Sequence, residues 1–464
     1  MIKFPLLAAL LAGCSLAPVY QRPAAPVPPA YPASAPDGST QRAAADTGWR
    51  DYFTDPGLRL SIAAALEQNR DLRTAALRIE EARAAYHIQR ADRLPNLNGS
   101  LAAARARTPA YLSPTGKALT ADRFDAGLGL SSFELDFFGR VRNLNEAALS
   151  AYLASDAARQ AAQISLVAQV AQAYFGLWAL GEQYALARQT LAGRSQTFQL
   201  TRQRVEAGAA SRLDLRLDET LLETARVAVL TLARQQQQAH NALDLLVGQY
   251  LPPTPGAAVT PPDDATLDAM SALPAGLPSE LLARRPDIQA AELRLKAANA
   301  NIGAARAAFF PRISLTAAFG SSSPAFAGLF DAGSGLWSFA PQMTLPIFDA
   351  GRNRANLSLA AVRKDIAVAD YEKTIQLAFR EVADALAARS YLGEQVTAQR
   401  AVREAQAERL KLLQLRFDNG VSSSLDVLDA ERVLFAAEQS LVQTRLLRAS
   451  SAIDLYRALG GGLK

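Results

Sequence analysis

The sequence predicts a mainly α-helical protein that also supplies strands to a membrane β-barrel. It is built as two tandem copies of one helix–strand–strand–helix half. Three observations predict this. Gly and Pro cluster in residues 18–40, 248–278 and 320–351, leaving the stretches between them almost free of helix breakers. Those stretches are rich in Ala, Leu, Arg, Gln and Glu, a helix-forming mixture within a chain that is 50% hydrophobic. Four shorter segments alternate apolar and polar residues with period two, and the whole order recurs about 212–216 residues further on.

In chain order, Lys3 precedes the apolar run Phe4 to Gly13, which reads as a short secretory signal over residues 1–13. The single cysteine closes the run Leu11-Ala12-Gly13-Cys14. This resembles the lipobox of bacterial lipoproteins, and the resemblance implies a diacylglycerol and an N-acyl chain on Cys14. Ser15 in place of Asp implies, by the same resemblance, sorting to the outer membrane. Residues 14–48 hold a Pro- and Ala-rich linker, expected to lie extended along a surface. With one cysteine no internal disulfide can form, so packing alone must hold the fold.

The first half covers 49–250. Trp49, Tyr52 and Phe53 mark the onset of folded structure, and helical periodicity runs from about Asp55 to Arg93, ending at Pro95. Strands are expected at about 97–107 and 122–135. A long helix runs from about 140 to Glu206, Gly208 interrupts it, and Ser211 can cap a further helix to about Val247. A Pro-rich connector spans 251–278. The second half, 279–459, repeats the order with strands at about 312–320 and 336–348, a helix over about 351–418, a break at Gly420, and a final helix from Ser424. Residues 460–464 read as a flexible tail.

The repetition is visible residue by residue. Leu94-Pro95 matches Phe310-Pro311, and Phe138-Gly139-Arg140 matches Ala350-Gly351-Arg352. The run Val205 to Ser211 matches Phe417 to Ser423. At ~1.5 Å per residue, the helices over 140–206 and 351–418 each extend about 100 Å and need partners along that length. In the last helix Leu428, Phe435, Val442, Ala449 and Tyr456 recur every seventh residue, beside a second row of Val427, Leu434, Leu441 and Leu455.

No run of 18 or more apolar residues occurs, which excludes a membrane-spanning helix at the sequence level. The paired strands alternate as a bilayer strand does, with Trp337, Phe339 and Met343 on one face and Ser338, Gln342 and Thr344 on the other. Four strands cannot close a barrel, since the smallest membrane barrels use about eight, and an open edge in lipid leaves backbone groups unpaired. Strands that span a membrane must therefore be shared among several subunits. The formal charge of +5 is spread among interleaved acids, with no Lys/Arg block, so no nucleic-acid partner is expected.

From about Trp49 to Gly462 the chain resembles the TolC-type outer-membrane factors, in their lipoprotein branch of NodT- and OprM-like efflux proteins. The resemblance rests on the lipobox, the duplicated layout, the run Phe417 to Ala430, and the closing Asp454-Leu455-Tyr456-Arg457-Ala458-Leu459-Gly460. It implies a homotrimer with a shared twelve-stranded barrel and a periplasmic helical tunnel. The implied partners are outer-membrane lipid, a periplasmic adaptor and an inner-membrane pump, often of the resistance-nodulation-division type. It implies no catalysis, no cofactor and no metal. In the family, acidic residues at the helical turn of the second repeat constrict the tunnel, and the matching positions here are Asp429 and Asp426. Asp426 has a repeat counterpart in Asp214, as a helix-capping role requires, whereas Asp429 aligns with Leu217. Some relatives brace that turn with an aromatic and an Arg; here Phe417 and Ser422 occupy those places, so that Arg bond is absent.

Two other readings compete. A periplasmic lipoprotein adaptor would show one hairpin and a lipoyl-like β domain, and a purely structural coiled-coil protein would show no paired strands. An anchored enzyme lacks support: His87 and His240 are isolated, and no metal-ligand cluster, GxSxG or phosphate loop occurs.

Overall fold

The computed structural model describes residues 15–31, 44–250, 264–274 and 278–463. The elements are, in order, α1 (Trp49–Tyr52), α2 (Pro56–Gln68), α3 (Arg70–Ala91), β1 (Leu97–Thr108), β2 (Leu119–Leu135), α4 (Arg140–Glu206) and α5 (Arg212–Val247). After the connector come α6 (Asp264–Ser271), α7 (Pro278–Arg284), α8 (Pro286–Ala307), β3 (Arg312–Ser323), β4 (Gly335–Thr344), α9 (Arg352–Asp418) and α10 (Ser424–Ala458). Helices α4 and α9 both have 67 residues, so the duplication extends to element length.

Two compact units divide the chain. The first comprises the segment up to Ala24, Leu77–Asp156 and Ala290–Glu372, and holds all four strands. They form one antiparallel sheet in the order β1-β2-β3-β4, so the two halves meet where β2 pairs with β3. Gly127 and Gly320 face each other at that seam. A Cβ on Gly127 would lie 2.8 Å from the Phe319 carbonyl oxygen, so only glycine admits this approach.

The second unit comprises Ala25–Ala76, Ala157–Gln289 and Lys373–Lys464. Its core gathers Tyr52, Phe53 and Tyr456. The Tyr52 and Tyr456 rings stack at 4.0 Å, and the single Tyr52 hydroxyl proton lies within reach of two carbonyl oxygens, those of Ala452 at 2.8 Å and Met270 at 3.0 Å. The two apolar rows read along α10 are buried or half-buried throughout. Val442 packs against Trp178 of α4, with Leu186 and Leu446 beside it.

Several expectations need correction. The helical stretch over 55–93 is two helices, because Asn69 adopts an extended conformation and its side chain accepts from Leu72 N, capping α3. The strand expected over 336–348 stops at Thr344, and Pro346, which has no N–H to give a ladder, follows. The tail over 460–464 is not free up to residue 462: Gly460, Gly461 and Gly462 are buried, the last beside Ile164 and Val167. Residue 464 lies outside the described residues. The connector over 251–278 contains α6, although 251–263 and 275–277 lie outside the described residues. Finally, α4 does contain a window long and apolar enough to cross a bilayer, contrary to the sequence reading; most of that window is buried inside the protein. Ala, Leu and Val there serve helix packing.

Candidate functional site

Three features carry chemistry or geometry that a globular core does not require: the sheet, the N-terminal arm and the turn between α9 and α10.

The sheet has two coherent faces. Directly opposed residues share a face, and the register aligns Leu97, Leu130, Ala317 and Phe339 in one row and Gly99, Leu128, Phe319 and Trp337 in the next. The opposite face carries Asn98, Asp125, Ser322 and Ser338. A bulge between Leu130 and Phe133 adds a residue, so Phe133 and Leu135 return to the apolar face after the even-numbered Leu128 and Leu130. Neither face is covered. Trp337 is 76% exposed, Phe319 72% and Leu101 71%, and Ser323 is the one buried residue among the four strands. Strands β1 and β4 each keep one unpaired edge.

The arm over 15–22 runs antiparallel to α8 in an extended conformation. Arg22 Nη2 and the Tyr20 hydroxyl donate to the two oxygens of Glu292, at 2.6 and 3.2 Å, and Lys296 adds an ion pair at 3.1 Å. Asn299 Nδ2 donates to the Pro18 carbonyl at 2.8 Å, and Arg306 donates to that of Leu16 at 3.2 Å. Ala17 fills the space that Gly303 leaves open, where a Cβ would come within 2.8 Å of Ala17 Cα. The Ser15 hydroxyl donates to Asn143 Oδ1 at 3.1 Å, in the first turn of α4. Burial raises the Glu292 pKa, but its bonds to Arg22 and Lys296 outweigh this and leave the carboxyl below its ordinary range. Cys14 lies outside the described residues, one position beyond Ser15.

The two helix turns are built alike. Gly208 and Gly420 take positive φ, 76° and 72°, which a side chain would disfavour. Ser211 caps α5 and Ser423 caps α10, each in a reciprocal box with Asp214 or Asp426. Asp426 accepts from Ser423 N, the Ser423 hydroxyl and the Ser422 hydroxyl, at 3.0, 2.7 and 2.9 Å, so its carboxylate is occupied by the turn. Asp429 is differently placed. Arg432 Nη2 reaches one oxygen at 2.8 Å, and Arg409 Nη2, from α9, reaches the other at 3.1 Å. Hydrogen bonds from Arg432 and then Arg409 hold its carboxyl below the usual range. Asp429 also borders an apolar groove of about 290 Å³ between α4, α5 and α10, lined on the α5 side by its repeat counterpart Leu217. The structure thus separates the two aspartates. Arg409 and Arg432 were not singled out from the sequence; Arg432, three residues on, was readable there. Among the described residues no cluster of His, Cys, Asp and Glu could hold a metal ion.

The family described as Outer membrane efflux protein matches residues 61–249 and 277–461, one segment for each half. The chain is 50% identical to the outer membrane protein OprJ of Pseudomonas aeruginosa over 98% of its own length and 95% of OprJ. It is 47% identical to the toluene efflux pump outer membrane protein TtgC of Pseudomonas putida, over 100% of this chain and 95% of that one. Among solved structures, the open state of the Neisseria gonorrhoeae MtrE outer membrane channel superposes with a TM-score of 0.85 at 43% identity. It covers 97% of this chain and 99% of MtrE.

Proposed function

The chain belongs to the outer membrane efflux protein family, and from that footing we propose that it is the outer-membrane duct of a tripartite efflux system. Three copies share twelve strands in one barrel, and their long helices line a tunnel. A periplasmic adaptor and an inner-membrane pump, of the resistance-nodulation-division type, deliver small apolar toxic compounds such as aromatic solvents and antibiotics. Transport through the duct is passive and needs neither cofactor nor catalytic step, because the pump supplies the energy. Cys14 carries a diacylglycerol and an N-acyl chain that anchor each copy to the outer membrane.

One observation carries this reading: a four-stranded sheet uncovered on both faces, apolar on one and polar on the other, with two unpaired edges. In lipid each unpaired backbone group costs several kcal/mol, so the edges must meet those of other copies. The arm that follows Cys14 in the sequence is tied to the protein, with Ser15 bonded to Asn143 in the first turn of α4, which supports the anchor. Asp429, tied to both α9 and α10, is the gate residue proposed for the tunnel, and Asp426 is assigned to capping. The test is a deletion strain challenged with toluene and hydrophobic antibiotics. Sensitivity should rise severalfold and return to normal with a plasmid copy; unchanged sensitivity in a strain with a working pump would sink the assignment.

A further inference from the structure

Both long helices start, within the first unit, against the usual electrostatic preference. Helix α4 begins Arg140-Val141-Arg142 and α9 begins Arg352-Asn353-Arg354, with no acid in either first turn. A cation at a helix N-terminus opposes the macrodipole. The preceding Asp136 and Asp349 satisfy backbone N–H groups, of Arg142 at 2.7 Å and of Asn353 at 2.8 Å, rather than the guanidinium groups of Arg142 and Arg354. Arg142, Arg352 and Arg354 are exposed, and Arg142 and Arg354 form no ion pair among the described residues. The same unfavourable choice made twice, at equivalent places in two halves, asks for a cause outside the helices.

That cause lies in where these turns fall. Each follows directly on a strand of the two-faced sheet, and the residues leading into them are apolar and exposed: Ile347 is 93% and Phe348 89% accessible. Where strand gives way to helix, over residues 90–93, 134–142, 306–312 and 349–354, eight arginines stand against four carboxylates. Two of the eight, Arg140 and Arg312, share the one carboxylate of Glu134, which leaves positive charge in excess there too. The arm independently marks the same level, because Ser15, next to the cysteine proposed to carry acyl chains, is bonded to Asn143 beside Arg142.

We propose that Arg142, Arg352 and Arg354 form a headgroup-binding collar that grips the phosphates of anionic phospholipids in the periplasmic leaflet of the outer membrane. This rests on the reading of the sheet as membrane-spanning. Apolar side chains enter the acyl region and guanidinium groups pair with phosphate oxygens just outside it, fixing the depth of the barrel.

The test uses the full-length protein in mild detergent, titrated with phosphatidylglycerol or phosphatidylcholine, with bound lipid counted by native mass spectrometry. Wild type should prefer phosphatidylglycerol, with a preference that weakens in salt. The triple variant Arg142→Gln/Arg352→Gln/Arg354→Gln should lose about fivefold in apparent affinity per arginine removed. The corresponding Arg→Lys triple variant, which keeps the charge, should retain most of the preference and controls for misfolding. Equal uptake of the two lipids by wild type, or an undiminished preference in the Gln variant, would overturn the collar while leaving the barrel intact. A chain that needs no detergent to stay soluble would overturn both readings.

Discussion

At the scale of single residues, the second-half turn divides labour between two carboxylates three positions apart. Asp426 is held by Ser422 and Ser423, and Asp429 is shared by Arg409 and Arg432. Asp429→Ala and Arg409→Ala should therefore both raise single-channel conductance in planar bilayers, because either removes the bond from α9 to α10. Asp426→Ala should leave conductance unchanged and slightly lower the melting temperature, because it opens the capping box at the start of α10. Unchanged conductance in both Asp429→Ala and Arg409→Ala would remove the gate from this turn. The sign of the pH effect follows from the depressed Asp429 pKa. Its pairs are complete above the ordinary carboxylate range and are lost only as pH falls through the lowered value. Conductance should be flat between roughly pH 5 and 8 and rise in acid. The special status of Asp429 was legible in the sequence, because its repeat counterpart is Leu217. The clasp from Arg409 was not: the two residues are twenty positions apart, and only the register between α9 and α10 brings them together.

At the scale of elements, the arm and α8 form a strap whose footing is Glu292 and whose notch is Gly303. Glu292→Gln removes the charge that holds Arg22 and Lys296 at a largely buried carboxylate, and Gly303→Val fills the place of Ala17. Each variant should release the arm, by on the order of 1–2 kcal/mol for Glu292→Gln, because Arg22 is half exposed. A nitroxide spin label on the exposed Gln21→Cys reports this: with Glu292 and Gly303 intact its mobility should be low near neutral pH and rise only as pH falls through the lowered Glu292 pKa. A label no more mobile in either variant would contradict the strap. Helix and strand existence could be read from periodicity and breakers, and the paired turns from Gly208 and Gly420. The sheet order could not, since alternation sets each strand's faces but not its neighbours. The burial of the tail was also hidden. Three consecutive glycines read as mobile, yet two of them, Gly461 and Gly462, pack against Tyr456 and beside Ile164 and Val167.

At the scale of the whole molecule, the duplication matters because each half contributes two strands and the halves meet at Gly127 and Gly320. The product is a sheet with two bare edges and no covered face, which is unstable alone in water and in lipid alike. The edge strands of a single chain are three strand spacings apart, about 14 Å, too far for a disulfide, which needs Cα atoms within about 7 Å. Cysteine pairing between β1 and β4 therefore reports neighbouring copies only. The decisive measurement is oxidation of membranes carrying Ala102→Cys on β1 with Ser338→Cys, Ala340→Cys or Gln342→Cys on β4, all on the polar face, scanned in turn to find the register. At the correct register a covalent ladder should end at three copies, with Ala102→Cys alone giving none beyond a dimer. A ladder that is absent at every register, or that ends at another number, would contradict a barrel shared by three subunits.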